Sequence, residues 1–571
     1  MKKMSRRTFI RSGLAGAVLV ACSGFSPKLL HKLAAAPGYK STIARTVIPV
    51  PVPATSPKLQ PTEISKYAQY GYGLWQEGAG LGLQKRLDLM PASYTGLNVT
   101  KTARLLNFFT ISDIHITDKE SPTQAIYLGL KHGVFSAYSG VMLYTPHVLD
   151  AAVQAINAVH KHNPIDFGLS LGDTCNNTQY NETRWYIDIL DGKTITPSSG
   201  AHVGADTIDY QKPFKAAGLD KSIPWYQVLG NHDHFWMGTN PVSDYLKQAY
   251  VGEDILKMGD IFMPGGINRR DYYMGVLDGR TPYGDVVGAG PVDTTNPPKI
   301  AADPARRSLS RKEWMQEFFT TSSQPAGHGF SQANVDNDFA CYSFEPKPNI
   351  PVKVIMLDDT QKDEDPDLHG YGHGTLDKER YEWLVKELDQ GQAEGKLMII
   401  AAHVPIGVEG PESLLGWFSN AYVSERQLID KLQEYPNFIL WLAGHRHYNT
   451  ITPFASPAAD RPELGFWQIE TASLRDFPQQ FRTIEIVCNS DSTISIFTVN
   501  GDTLAEPGSL AAKSRSCAIA DQQLYTTGKD LSANPGLKAL LPSGSYNAEL
   551  VMKLSPEMQA KLQKSGTLIR G

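Results

Sequence analysis

The sequence predicts an α/β protein: two mixed sheets with helices flanking them. Three observations predict it. Strand-length apolar runs alternate with helix-spaced segments over most of the chain. Short polar segments follow several of those runs, where ligands gather at the carboxyl ends of parallel strands. Late in the chain, strand-like runs follow one another without helices, which suits a second, mixed sheet.

The first element is a terminal signal. Ser5-Arg6-Arg7-Thr8-Phe9-Ile10-Arg11 precedes a weakly apolar run from Leu14 to Ala21. This resembles a twin-arginine export signal, and Leu19-Val20-Ala21-Cys22 resembles a bacterial lipobox. The run is far shorter than the roughly 20 residues that cross a membrane. The expectation is therefore a 1–22 signal, export by the twin-arginine machinery, and a periplasmic or cell-surface chain anchored by a lipid on Cys22. A basic tail on a cytosolic protein is the alternative.

Residues 23–100 read as a proline-rich tether and irregular segment, since Pro49, Pro51 and Pro53 alternate with valines and remove backbone donors. The main domain spans 101–501. Its strands are read at Leu105 to Ser112, Ile165 to Leu171, Pro224 to Leu229, Val352 to Leu357, Leu397 to Ala401 and Phe438 to Leu442. Further strands follow near Phe466 to Glu470, Thr483 to Val487 and Thr493 to Val499. Helical spacing covers Pro146 to Lys161, a segment that Thr375 caps, and one opened by the Ser424/Gln427 capping box. An insertion at about 234–351 is rich in Gly and Pro, holds a helix from Ser310, and is expected to cover the active-site mouth. A C-terminal extension of 502–571 follows, with a short helix at Ser555-Pro556-Glu557.

Composition sets outer bounds. The 571 residues are 41% hydrophobic and 20% charged, with net charge −5. That balance gives no general affinity for nucleic acid, nor for anionic membranes beyond a lipid anchor. Apart from Cys22, four scattered cysteines lack any Cys-x-x-Cys pair, which excludes a thiolate zinc site and leaves one disulfide open. Cys175 reads as a small buried residue near Asp173.

Five segments carry the chemistry: Asp113-Ile114-His115, Gly172-Asp173, Gly230-Asn231-His232-Asp233, Ala402-His403 and Gly444-His445-Arg446-His447. Each offers oxygen or nitrogen donors for a divalent metal, and each ends a predicted strand. In this order they resemble the calcineurin-like metallophosphoesterases, two-metal hydrolases of phosphate esters. The family fold, two packed sheets with helices on both outer faces, matches the predicted order. The resemblance implies a first ion on Asp113, His115 and His447, a second on Asn231, His403 and His445, and Asp173 between them. Two such ions acidify a shared water and neutralise transition-state charge. It also implies that His232 handles the leaving oxygen or the phosphoryl group without binding metal, with Asp233 orienting its ring. The donor set suits Mn, Fe, Zn or Co. Purple acid phosphatases carry a tyrosine where this chain has Asn176, and Gly where it has His115, so no iron–tyrosinate site is expected.

The expected activity is hydrolysis of a small phosphomonoester or phosphodiester, a nucleotide included. A non-catalytic envelope protein that binds phosphate or a polymer through a degenerate site is the alternative. His132, His147, His160 and His162 read as solvated, and His328 and His373 as loop residues. Arg269, Arg270 and Arg475 could each clamp a phosphate, but surface ion pairs are the plainer reading.

Overall fold

A computed structural model describes residues 35–36, 39–132, 137–259, 271–365, 371–408, 416–417, 422–525 and 546–564. The signal with Arg6, Arg7 and Cys22 lies outside them, as do Arg269 and Arg270.

Two large sheets form the body. Their strands are β1 (Leu83–Arg86), β2 (Lys101–Ile111), β3 (Phe167–Ser170), β4 (Trp225–Gln227), β5 (Tyr342–Phe344), β6 (Val352–Met356), β7 (Leu397–Ala401), β8 (Phe438–Ala443), β9 (Thr450–Phe454), β10 (Phe466–Glu470), β11 (Gln480–Asn489), β12 (Thr493–Asp502) and β13 (Asn547–Lys553). The first sheet runs β4-β3-β2-β11-β12-β13-β1 and the second β5-β6-β7-β8-β10-β9. Both are mixed. In the first, β4, β3 and β2 are mutually parallel, whereas β2, β11, β12 and β13 alternate. In the second, β6, β7, β8 and β10 are parallel and both edge strands are antiparallel.

Side-chain alternation sorts the second sheet into two faces. Val352, Val354, Leu397, Ile399, Leu440 and Leu442 join the core shared with Phe108, Ile484, Ile496 and Leu550 of the first sheet. Ile355, Met398, Ile400 and Trp441 face the other way. There they meet Leu384 and Leu388 of one helix (Lys378–Ala393) and Leu428 and Leu432 of another (Glu425–Leu432). Each such leucine contributes about 1.5–3 kcal/mol by burial. The outer face of the first sheet is covered by helix Thr145–His162, which buries Val148, Leu149, Ala152 and Ile156. The predicted class, mixed sheets flanked by helices, is the observed one.

Several local expectations change. Asp377, not Thr375, caps the Lys378–Ala393 helix, accepting the Arg380 N–H at 2.9 Å. Thr375 instead donates its N–H to the Asp359 carbonyl. Of the segment read as a tether, residues 39–100 pack against the body. Strand Arg45–Pro49 pairs antiparallel with Trp75–Ala79, and β1 adds to the first sheet. The Val50 N–H bonds the Leu74 carbonyl. Pro49 and Pro51 therefore occupy alternate positions whose missing donors would face away from the partner strand. The extension after 501 supplies β13, an interior strand of the first sheet. The insertion likewise ends in β5, an edge of the second sheet, and it carries its own three-stranded sheet (Lys257–Gly259, Asp271–Leu277, Val286–Pro291).

Candidate metal centre

The carboxyl ends of β2, β3, β4, β7 and β8 converge, and each loop that leaves them carries one predicted segment. Ser112 and Ser473 pair in parallel where the ends of β2 and β10 meet across the two sheets. The loops are stitched to one another. Asp113 and His115 donate their N–H groups to the Gly172 and Asp173 carbonyls, and the His445 N–H bonds the Asp113 carboxylate at 2.9 Å. Arg446 forks onto Glu470 of β10, at 2.7 and 2.6 Å, and pins the histidine loop.

Five residues here have left-handed backbones: Asp113, His115, Asp173, His445 and His447, with φ from 48° to 70°. Such conformations cost on the order of 1–3 kcal/mol each and persist where the surroundings over-determine them. The inter-loop hydrogen bonds supply that constraint. Gly230 is needed for another reason, because a Cβ there would collide with the backbone N and Oδ1 of Asp173.

Seven donor side chains face a common centre; six are buried and His447 is partly exposed. Asp173 uses its two oxygens differently. Oδ1 accepts the His232 N–H at 2.9 Å. Oδ2 lies 3.6 Å from His115 Nε2 and 3.4 Å from His403 Nε2, between two groups of ligands. On one side His115 Nε2 is 3.1 Å from His447 Nε2, which is 3.4 Å from Asp113 Oδ1. On the other, His403 Nε2 is 2.9 Å from Asn231 Oδ1 and 3.2 Å from His445 Nδ1.

These spacings fit bound cations. Ring nitrogens so close repel through their lone pairs unless a proton or an ion lies between. Ligand bonds of about 2.1 Å put two donors on one ion roughly 3 Å apart. His115 Nδ1 and His445 Nε2 are buried without hydrogen-bond partners, so neither ring is held there as an ordinary core histidine would be.

The protonation pattern of the ion-free chain agrees. Burial alone would depress every imidazole, and it holds His115 and His445 well below the usual histidine range. For His403 the Asp173 and Asp113 charges outweigh burial and raise its pKa to about 10. Asp476 and Asp113 do the same for His447, also to about 10. Burial would raise Asp173, but the His403 and His232 charges hold it well below the carboxylate range. Each ligand group thus keeps one proton where a cation would go.

His232 sits beside both groups, its ring edge-on to His115 at 4.5 Å. Its Nδ1 donates to the Asn176 carbonyl at 2.7 Å, which leaves Nε2 facing the centre. The orienting group is therefore not Asp233. That carboxylate accepts from the N–H groups of Gly230, Asp173 and Thr174 and from the Thr174 hydroxyl, at 2.6 to 3.0 Å, and ties the two loops together. Burial and the Asp173 charge push its pKa up to about 7. A carboxylate spent on backbone donors has no oxygen left for the neighbouring ring.

Other residues also differ from expectation. Arg475 is fully buried, not on the surface, and donates to the Asn176 side-chain oxygen. The Asn176 amide donates to Gln124 at 3.0 Å, so this residue supports His232 from both ends. His328 stacks on Trp225 at 3.4 Å, a core contact away from the centre. His147 packs on Phe214 rather than in solvent. Cys175 is buried against Asp233, and Cys175, Cys341, Cys488 and Cys517 are all unbridged. Two acids went unread. Asp359 follows β6 and accepts the His403 and Val404 N–H groups at 3.1 to 3.2 Å. Asp476 follows β10 and pairs with His447 Nδ1. Both trail a parallel strand, which was the signal available for them.

No family model and no curated protein matches the chain. Among solved structures it is similar to a dimetal phosphatase from Danio rerio, at 12% identity and a TM-score of 0.37, covering 70% of this chain and 99% of that one. It is also similar to GAP50, the anchor in the inner membrane complex of Plasmodium, at 12% identity and a TM-score of 0.27, covering 71% and 86%.

Proposed function

We propose that this chain is a two-metal hydrolase of phosphate esters. One observation carries the reading: a single carboxylate oxygen, Asp173 Oδ2, lies between two complete groups of nitrogen and oxygen donors. Asp113, His115 and His447 would hold one divalent ion, Asn231, His403 and His445 the other, and Asp173 both. Manganese, iron, zinc or cobalt would suit these donors. Bound ions would supply Lewis acidity for the phosphoryl oxygens and for an attacking water.

The chain's own residues supply the rest. His232 carries its fixed proton on Nδ1, so Nε2 exchanges protons with the reacting group. Burial lowers its pKa, so a proton on Nε2 is given up readily to a leaving alkoxide. Gly238 keeps room at that nitrogen, since a Cβ there would meet His232 Nε2. His234, two residues on, lines a cleft of about 730 Å³ whose charges are of both signs, Lys247, Arg307, Arg311 and Lys362 beside Glu313, Asp338, Asp363 and Glu364. Arg6-Arg7 and Cys22 support a further reading, export by the twin-arginine route and lipid anchoring at the cell envelope.

The test is metal content followed by hydrolysis of p-nitrophenyl phosphate and its bis ester with Mn or Zn. About two ions per chain and turnover of one ester are expected. Firmly bound metal without hydrolysis of either ester, or of a nucleotide panel, would reject the enzyme in favour of a binding protein.

A further inference from the structure

The two ligand groups differ in what stands behind their imidazoles. His403 Nδ1 meets a neutral partner, the Leu171 carbonyl, at 2.7 Å. His115 Nδ1 and His445 Nε2 have no hydrogen-bond partner. Among these ligands only His447 is backed by a carboxylate, Asp476. That residue is well placed for the role. Its N–H and the Arg475 N–H bond the Ser473 hydroxyl, which in turn donates to the Asp113 carbonyl at 2.6 Å. Asp476 is thus tethered to the loop that carries the first ligand.

The groups also differ in charge. Asp173 is common to both. Asp113 adds a full negative charge on one side, whereas Asn231 contributes a neutral amide on the other. An imidazole that donates Nδ1–H to a carboxylate is locked in one tautomer and becomes a stronger donor through Nε2. His447 Nε2 is the atom that faces Asp113.

We propose that Asp476 is a positioning residue that makes the Asp113–His115–His447 group the tight ion site, and leaves the Asn231–His403–His445 group the weaker one. Ions then load in that order. This rests on the two-ion reading above.

Calorimetric titration of the metal-free full chain with Mn²⁺ tests it, alongside electron paramagnetic resonance of the manganese. Two separate affinities are expected, with an uncoupled signal at one equivalent and a coupled one at two. Asp476→Asn should weaken the first affinity roughly 10–100-fold and leave the second unchanged. Asp476→Glu should restore part of the loss. Asn231→Asp should tighten the second ion, a test that does not depend on the folding of any Asp476 variant. Unchanged first binding in Asp476→Asn, or a loss confined to the second ion, would overturn the inference alone. Uptake of fewer than two ions by the natural chain would overturn the two-ion reading as well.

Discussion

At the scale of single residues, the proposed centre would separate ion binding from proton handling. Asp173→Asn should abolish uptake of both ions, because one oxygen serves both groups. His232→Ala should keep both ions and lose about 10²–10⁴ in rate. Metal analysis and kinetics on the same preparations check this pair, and full activity in both variants would refute the assignment. A pH effect follows from His403 and His447. Both are held up to about 10, so both are protonated at pH 7 in the ion-free chain. Ion uptake should therefore release about two protons, and affinity should rise with pH. Calorimetry in two buffers of different ionisation enthalpy measures the release. Finding none would contradict the protonation pattern.

At the scale of elements, the ligand loops were legible because each ends a parallel strand in a run of few residue types. Gly230-Asn231-His232-Asp233 shows this, but it also shows the limit. The family resemblance implied that Asp233 orients His232, whereas the 3₁₀ turn at Asn231–Asp233 directs that carboxylate back to the Asp173–Cys175 backbone. The true partner, the Asn176 carbonyl, is a main-chain atom that no residue letter records. Asp476 was hidden by distance, 29 residues beyond His447. The prolines near Pro49 misled because composition does not show which way each missing donor would point. Packing and chemistry should come apart under mutation. Leu384→Ala should cost about 2–5 kcal/mol of stability with little effect on ion binding, since its helix covers the face away from the first sheet. His232→Ala should instead lose rate while the melting temperature changes far less. Denaturation and kinetic measurements distinguish the two, and equal effects on both properties would count against the division.

At the scale of the whole molecule, the same two histidines set a stability trend. Their pKa values rise on folding, from 6.5 to about 10. Their stabilisation is complete below pH 6.5 and is lost as pH climbs through 10. The ion-free chain should melt at progressively lower temperature over that window, and saturating Mn²⁺ should flatten the decline. A flat profile without ions would sink the expectation.

The ligands also span most of the protein's length. His447 reaches back across 332 residues to His115. The first sheet that carries three of the ligand loops is completed only by β13, which begins a hundred residues after the last ligand. A nascent or clipped chain therefore has the ligands but not the cage. Under the two-ion reading, ion retention would report whether that late strand had joined the sheet.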